Sequence, residues 1–231
     1  MNGTEDTIER VTRTIHYRDM HQEDEDAMLI KEHALTVIAN ERPILKLVCT
    51  RSNLRELIIG RLVTEGIIET LEDIYKIYFC KYENEARVFA TLKKDSEEKM
   101  LPKVNWVADW IFRLAAEFEK GTVIHKMTHG CHSCILAKGE NILFTCEDIG
   151  RHNAVDKTVG YAFLNHIPLR ECMLFTSGRV PVDMVEKVVA AGIPALVSKS
   201  VPTVESVELA KKVGLTLICR AWSDRFEIYA P

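Results

Sequence analysis

The chain has 231 residues, 47% of them hydrophobic and 28% charged, with a formal net charge of −4, which is enough apolar side chain for one large or two smaller folded domains. No basic excess is available to hold a phosphate backbone over a broad face, so extended nucleic-acid binding is not expected. No apolar run reaches the roughly 18 residues that span a bilayer, and the polar start Met1 to Asp6 lacks signal-peptide character, so the expected location is the cytoplasm, away from membranes.

Residues 1–26 are polar and end in the acidic run Glu23-Asp24-Glu25-Asp26, which reads as a solvated arm without an assigned partner. From Met28 the pattern is strand-like: Leu29 and Ile30, then Leu35, Val37 and Ile38, then Ile44, Leu45, Leu47 and Val48 beyond a turn at Asn40 to Pro43. Asn53 with Glu56 reads as a capping box, and Leu54, Leu57, Ile58, Leu62 and Val63 share a face that stops at Gly66, predicting a helix from about Asn53 to Glu65. Ile74 to Tyr82 and Arg87 to Leu92 flank Glu83-Asn84-Glu85 as a hairpin. A small α+β domain is expected over 27–100.

Pro102 suits a first helical turn, and Val104, Val107, Trp110, Ile111, Leu114 and Phe118 repeat at helical spacing up to Gly121. Beyond it, Ile135 to Ala137 and Ile142 to Cys146 pair as strands across Lys138-Gly139-Glu140, and a helix follows from Asn153 to Leu164. Strand Met173 to Thr176, helix Val182 to Ala191, strand Ala195 to Val197, helix Val204 to Val213, strand Leu215 to Cys219 and strand Phe226 to Tyr229 complete the chain. This alternation predicts an α/β domain over 101–231, with a largely parallel sheet covered on both faces.

In such a sheet, ligands bind beyond the carboxyl ends of the strands, where loops present helix N-termini. Three loops there are polar: Glu147 to Asn153, Thr176 to Arg179 and Ser198 to Thr203. Their amides, with Arg151, His152 and Arg179, suit a phosphate or a nucleotide diphosphate. The competing structural reading makes Asn153 and Thr203 plain N-caps and puts Asp156 and Lys157 on a solvated helix face.

Seven cysteines, an odd number without a secretion signal, argue for reduced thiols. His129-Gly130-Cys131-His132-Ser133-Cys134 sets two of them three positions apart beside two histidines. Zinc ligation, a redox or sulfur-carrying pair activated by neighbouring imidazoles, and simple packing all fit that spacing. Cys49, Cys80, Cys172 and Cys219 fall in apolar strand patterns and read as core; Cys146 stands at a strand end near the polar loops.

Glu147-Asp148-Ile149-Gly150-Arg151-His152-Asn153-Ala154-Val155-Asp156-Lys157 closely resembles the signature of FdhD proteins. Thr176 to Val180, Ala191 to Pro194, Ser198 to Thr203, Arg220 to Tyr229 and, earlier, Leu57 to Ile67 are similar to other segments of that family. The resemblance implies a sulfurtransferase that takes sulfur from a cysteine desulfurase as a persulfide and passes it to the bis-guanine-dinucleotide molybdenum cofactor of a formate dehydrogenase. It implies a homodimer and a cytidine-deaminase-like mixed sheet with flanking helices in the second domain. The deaminase zinc ligands have no counterpart at Arg151-His152-Asn153 or Ser177-Gly178-Arg179, so deamination is not expected and no residue is assigned as a metal ligand, a small zinc-stabilised nucleotide-binding module standing as a third reading. Cofactor contacts, with GDP as the testable fragment, are expected at Gly150, Arg151, His152, Asn153, Ser177, Gly178, Arg179, Ser198, Ser200, Cys219, Arg220 and Arg225. Many family members carry a Cys-Gly-x-Cys-Gly loop where this chain has Lys93 to Met100, which contains no cysteine. Cys131 and Cys134 are then the expected sulfur carriers. If they do not carry sulfur, the alternative is a protein that binds and delivers the cofactor without sulfur transfer.

Overall fold

The structure is a computed structural model and describes residues 7–18, 20–93 and 100–231. Two strands, β1 (Ile8–Arg18) and β2 (His21–Ile30), pair antiparallel as a ribbon of their own. The acidic run, read from the sequence as part of a solvated arm, lies in β2 with Glu23 to Asp26 exposed. Alternation is weak there, and the ribbon packs at its base, where Ile8, Met28 and Ile30 meet Ile124 and Cys131.

A four-stranded sheet follows in the order β4-β3-β6-β5, built from β3 (His33–Ala39), β4 (Arg42–Cys49), β5 (Ile74–Phe79) and β6 (Glu85–Ala90). β3 and β4 join through Asn40 and Glu41, both at positive φ, the conformation of a twist-matched two-residue turn. The Asn40 amide side chain also exchanges hydrogen bonds with the backbone of Ala90, so the turn residue extends the β3–β6 pairing. Helix α1 (Leu54–Thr64) runs where expected, but Asn53 before it is left-handed and makes no side-chain cap.

The second sheet has six strands in the order β12-β11-β10-β9-β7-β8: β7 (His132–Lys138), β8 (Asn141–Asp148), β9 (Met173–Thr176), β10 (Ala195–Ser198), β11 (Thr216–Cys219) and β12 (Glu227–Ala230). Only β9, β10 and β11 are mutually parallel, which makes the sheet mixed. Helices α4 (Arg151–Leu164), α5 (Val182–Ala190) and α6 (Val204–Val213) cover one face, burying Val155, Val185 and Ala210 with Leu136, Leu174 and Leu217. Helix α2 (Ala108–Glu119) covers the other, where Ile111 and Leu114 meet Ile135, Phe175 and Val197.

Residues 101–107 are not helical, contrary to the reading of Pro102 as a first turn. The Leu101 amide is held by the Val213 carbonyl, and Leu101 is buried at the end of α6, so the tie to the core draws the segment out. A short helix α3 (Val123–Thr128), absent from the sequence reading, leads into β7. The apolar cluster under α4 continues through α1 into the four-stranded sheet, so both halves share one core. Among the described residues no helix is long and apolar enough to cross a membrane.

Candidate functional site

The segment Glu147 to Lys157 closes β8 and opens α4, and most of its charged residues are buried. Asp148 and Lys157 are fully buried and paired at 2.6 Å. Asp148 accepts from the Thr50 amide and hydroxyl, from the Gly150 amide and from Asn153 Nδ2, while Lys157 donates to Thr50 Oγ1 at 2.7 Å and to the Glu147 carbonyl at 3.2 Å. A buried ion pair of this kind persists only where its remaining donors and acceptors are satisfied. One position earlier, Asp156 is also fully buried and binds Lys187 of α5, Thr64 Oγ1 and Arg61 of α1. The solvated-face reading of Asp156 and Lys157 is thus corrected: both lock α4 onto the N-terminal half. Asn153 is likewise no N-cap, since Gly150 takes that position and Asn153 donates to the Val48 carbonyl at 2.8 Å.

With these residues occupied inside the fold, Arg151 and His152 stand at the first turn of α4 with donors to spare. Arg151 Nε and His152 Nε2 are buried atoms without a hydrogen-bond partner. His152 Nε2 lies 2.9 Å from Asp183 Oδ2 on α5, within ion-pair distance. Burial holds the His152 pKa below the usual imidazole value despite the nearby Asp183, and Arg151 pushes it the same way. Gly178 lets the Arg151 chain pass, because a Cβ there would stand 2.9 Å from Arg151 Cβ.

The β9–α5 loop reaches the same place. Ser177 Oγ accepts from the Ser133 amide and lies 3.1 Å from His132 Nδ1. Burial, then Arg151 and His152, lower the His132 pKa, which leaves a neutral ring able to accept the Ser177 hydroxyl proton. The sequence reading set His132 beside the thiol pair; in the structure its ring meets Ser177 of the β9–α5 loop. The β9–α5 and β10–α6 loops are stitched by Val180 and Pro202, by Ser198 Oγ donating to the Gly178 carbonyl at 2.7 Å, and by the Lys199 amide donating to Thr176. The Ser200 carbonyl accepts from the Arg220 amide, which brings the β11–β12 loop alongside.

The expected contact residues therefore divide. Gly150, Arg151, His152, Ser177, Gly178 and Ser200 line these joined loops, and Arg179, Arg220 and Arg225 are exposed around them. Arg220 is engaged with Glu227 and Arg225 with Asp224. Asn153 and Ser198 are spent on internal hydrogen bonds. Cys219 is fully buried in the apolar cluster and cannot touch a ligand; burial raises its pKa to about 12. The loops also carry an unforeseen aromatic feature: Lys199 Nζ lies 4.2 Å from the centroid of the Trp222 ring, where the composition of the loop alone gave no signal.

The expected thiol pair is not a pair in space. Cys134 sits within β7, opposite Cys146 of β8 and Thr176 of β9, fully buried in the core beneath α4. Cys131 precedes the strand and packs with Ile8 and Ile124 at the foot of the β1–β2 ribbon. Its sulfur donates to Glu147 Oε1 at 3.1 Å. The same carboxylate accepts from Thr122 Oγ1 and from the Ile124 and His125 amides, capping α3. Burial first, and then Glu147, push the Cys131 pKa well up; burial does the same for Cys134. Neither thiol is poised as a thiolate, and a zinc set is not assembled either: among the described residues no three His, Cys, Asp or Glu side chains are grouped to hold a metal.

Cys80 departs from its reading as core. It lies half-buried in the β5–β6 turn, and although burial raises its pKa, the amides of Glu85, Tyr82, Asn84 and Glu83 outweigh that and bring it below the usual thiol value. It is the one cysteine of the seven whose surroundings favour the thiolate.

The model of the FdhD/NarQ family matches residues 30–106 and 89–231. The chain belongs to the FdhD/NarQ family. The sulfur carrier protein FdhD of Bacillus pumilus is 29% identical, with 94% of each chain covered. That of Halalkalibacterium halodurans is 28% identical over 91% of this chain and 88% of its own. A crystal structure of a proposed formate dehydrogenase accessory protein from Desulfotalea psychrophila superposes with a TM-score of 0.87 at 25% identity, covering 97% of both chains. In this FdhD/NarQ chain the signature segment divides: Asp148, Asn153, Asp156 and Lys157 fasten the halves together, and Arg151 and His152 stand at the start of α4. The stretch matching the family's cysteine loop includes residues 94–99, which lie outside the described residues.

Proposed function

We propose that this protein is an accessory sulfur carrier for a formate dehydrogenase, holding a guanine-dinucleotide molybdenum cofactor as cargo at the loops around Arg151, His152, Ser177, Arg179 and Ser200. The observation that carries this reading is the buried Arg151 Nε, which has no hydrogen-bond partner at the start of α4, with His152 beside it. An orphaned buried donor is costly, and a phosphate oxygen would satisfy it while the α4 amides complete its shell. The mixed sheet with α4, α5 and α6 on one face also supports reading the second half as cytidine-deaminase-like.

Sulfur carriage requires a thiolate that attacks the outer sulfur of a desulfurase persulfide: a new S–S bond forms, the old one breaks, and the desulfurase leaves as its own thiolate. We assign that role to Cys131, the less enclosed of the two expected thiols, which shares β7's entry with His132 and Ser177 and must first give up the proton that burial and Glu147 hold on it; Cys134, sealed within the strand, would serve only after the sheet opened. Burial of both thiols favours a second reading, in which the protein delivers the cofactor without sulfur transfer. A cytoplasmic homodimer receiving sulfur from a cysteine desulfurase completes the proposal.

The test is mass spectrometry after incubation with a cysteine desulfurase and cysteine, with GDP calorimetry in parallel. A persulfide mapped to Cys131, lost in Cys131→Ala while GDP still binds, supports the carrier. A persulfide on Cys80 moves the role there, no persulfide with GDP bound favours delivery alone, and no GDP binding removes the cargo site.

A further inference from the structure

His152 reaches between two helix starts. It lies on the first turn of α4, and Asp183, on the first turn of α5, places a carboxylate oxygen 2.9 Å from its Nε2. More than half of the Asp183 side chain is exposed, whereas that of His152 is largely covered. The other charges facing the imidazole are already accounted for. Arg151 on α4 has its Nε free; Lys187 on α5 is bound to Asp156 and Glu65; Arg61 and Glu65 on α1 pair with each other and with Asp156 and Lys187. His132 on β7 faces Ser177, and Asp148 on β8 is neutralised by Lys157. Asp183 is thus the carboxylate that meets His152, and among the described residues no lysine or arginine pairs with it.

We propose that Asp183 is a positioning residue that orients His152 and stabilises the proton His152 takes up when a phosphate-bearing ligand binds beside Arg151. The inference rests on the cargo-site reading above. In the free protein His152 is mainly neutral near pH 7, because burial and the Arg151 and Lys187 cations outweigh Asp183. A phosphate at the α4 start reverses that balance by adding negative charge on the side facing Arg151, and a proton enters. With Asp183 behind the ring, the imidazolium is held by a carboxylate on one side and the ligand on the other. When the ring is neutral, the same carboxylate only repels the ligand. Asp183 therefore helps binding at low pH and hinders it at high pH, a sign change that simple structural support would not produce.

The experiment is calorimetry with GDP-mannose, whose pyrophosphate diester has no proton to lose near neutral pH, unlike the terminal phosphate of GDP. Titrations in two buffers of different ionisation heat give the proton count. The wild-type protein is expected to take up a fraction of a proton at about pH 7 and to bind roughly tenfold more tightly at about pH 6 than at about pH 8. His152→Gln should take up none and lose the pH dependence. Asp183→Asn should take up less, bind more weakly than wild type at about pH 6 and no more weakly at about pH 8, with Asp183→Glu restoring the wild-type profile. Unchanged proton uptake in Asp183→Asn, or an equal loss at every pH, would overturn the role of Asp183 while leaving the cargo site standing. Binding of neither GDP-mannose nor GDP to the wild-type protein would instead overturn the cargo site, and this inference with it.

Discussion

Gly60 on α1 and Gly160 on α4 meet so closely that a Cβ built on either would stand 2.8 Å from the other's amide nitrogen. It would also lie 1.7 Å from the Asp156 carbonyl oxygen at Gly60, and 1.8 Å from that of Glu56 at Gly160. These neighbours are backbone atoms, so no rotamer change relieves the clash and the helices must part. Either Gly→Ala change should cost about 3 kcal/mol, the upper end for overpacking, in urea unfolding. Because α4 carries Arg151 and His152, GDP affinity should fall with it. A stability loss below about 1 kcal/mol would show that the crossing yields easily.

The Asp148–Lys157 pair gives a second expectation. Lys157→Met leaves Asp148 charged and buried without its cation, and loses the hydrogen bonds to Thr50 and Glu147; the expected loss is about 3–5 kcal/mol. Asp148→Asn combined with Lys157→Met removes both charges and should recover part of it. If the double variant is the less stable of the two in thermal unfolding, hydrogen bonding to Thr50 and Gly150 matters more than charge balance.

Thiol reactivity should rank the cysteines in an order opposite to their sequence reading. At mildly alkaline pH, limiting iodoacetamide should modify Cys80 first, since its turn amides favour the thiolate and it is partly exposed. Cys134 and Cys146, fully enclosed, should react only on unfolding. Glu147→Gln should raise the reactivity of Cys131 by removing the carboxylate charge that opposes its ionisation. Peptide mapping that finds Cys131 modified before Cys80 in the wild-type protein would contradict this order.

The buried thiols also predict a loss of stability in alkali. Burial raises Cys49 and Cys219 to about 12 and Cys146 and Cys172 to about 11, against 9.0 for a free thiol. The folded chain keeps these protons where the unfolded chain releases them, so their contribution is intact below pH 9 and lost as pH climbs toward the folded values. Each thiol can cost up to about 1.4 kcal/mol per pH unit over that window. Tm should therefore fall steeply above pH 9, and the double change Cys49→Val with Cys219→Val should flatten the slope.

For the cargo site, Arg151→Ala should weaken GDP binding about tenfold or more, the worth of a charge-assisted hydrogen bond of roughly 1.5–3 kcal/mol. Arg179→Ala, which removes an exposed guanidinium, should cost less and should lose its effect in high salt. Equal GDP affinity in calorimetry for wild type and Arg151→Ala would remove Arg151 from the site.

The sequence by itself determined the elements whose signals are local. Helices α4, α5 and α6 and strands β9, β10 and β11 follow from apolar periodicity with stops such as Gly192 and Gly214, both at positive φ, and Thr203 caps α6 through Ser206. The polar loops at the strand ends were legible for the same reason, because helix starts need caps and amides wherever they occur. Only the tertiary structure decided which polar residues face a ligand and which are consumed inside. Lys157 finds Thr50 across 107 positions and Asp156 finds Thr64 across 92, so nothing near either residue announces its burial. The thiols show the same limit: a shared Cys-x-x-Cys spacing put Cys131 and Cys134 together on paper, but β7 begins at His132, and the strand carries Cys134 into the core while Cys131 stays at the foot of the ribbon. Burial, partner charge and amide direction set thiol chemistry, and these are properties of the fold around a residue, which a pattern of neighbours in sequence does not contain.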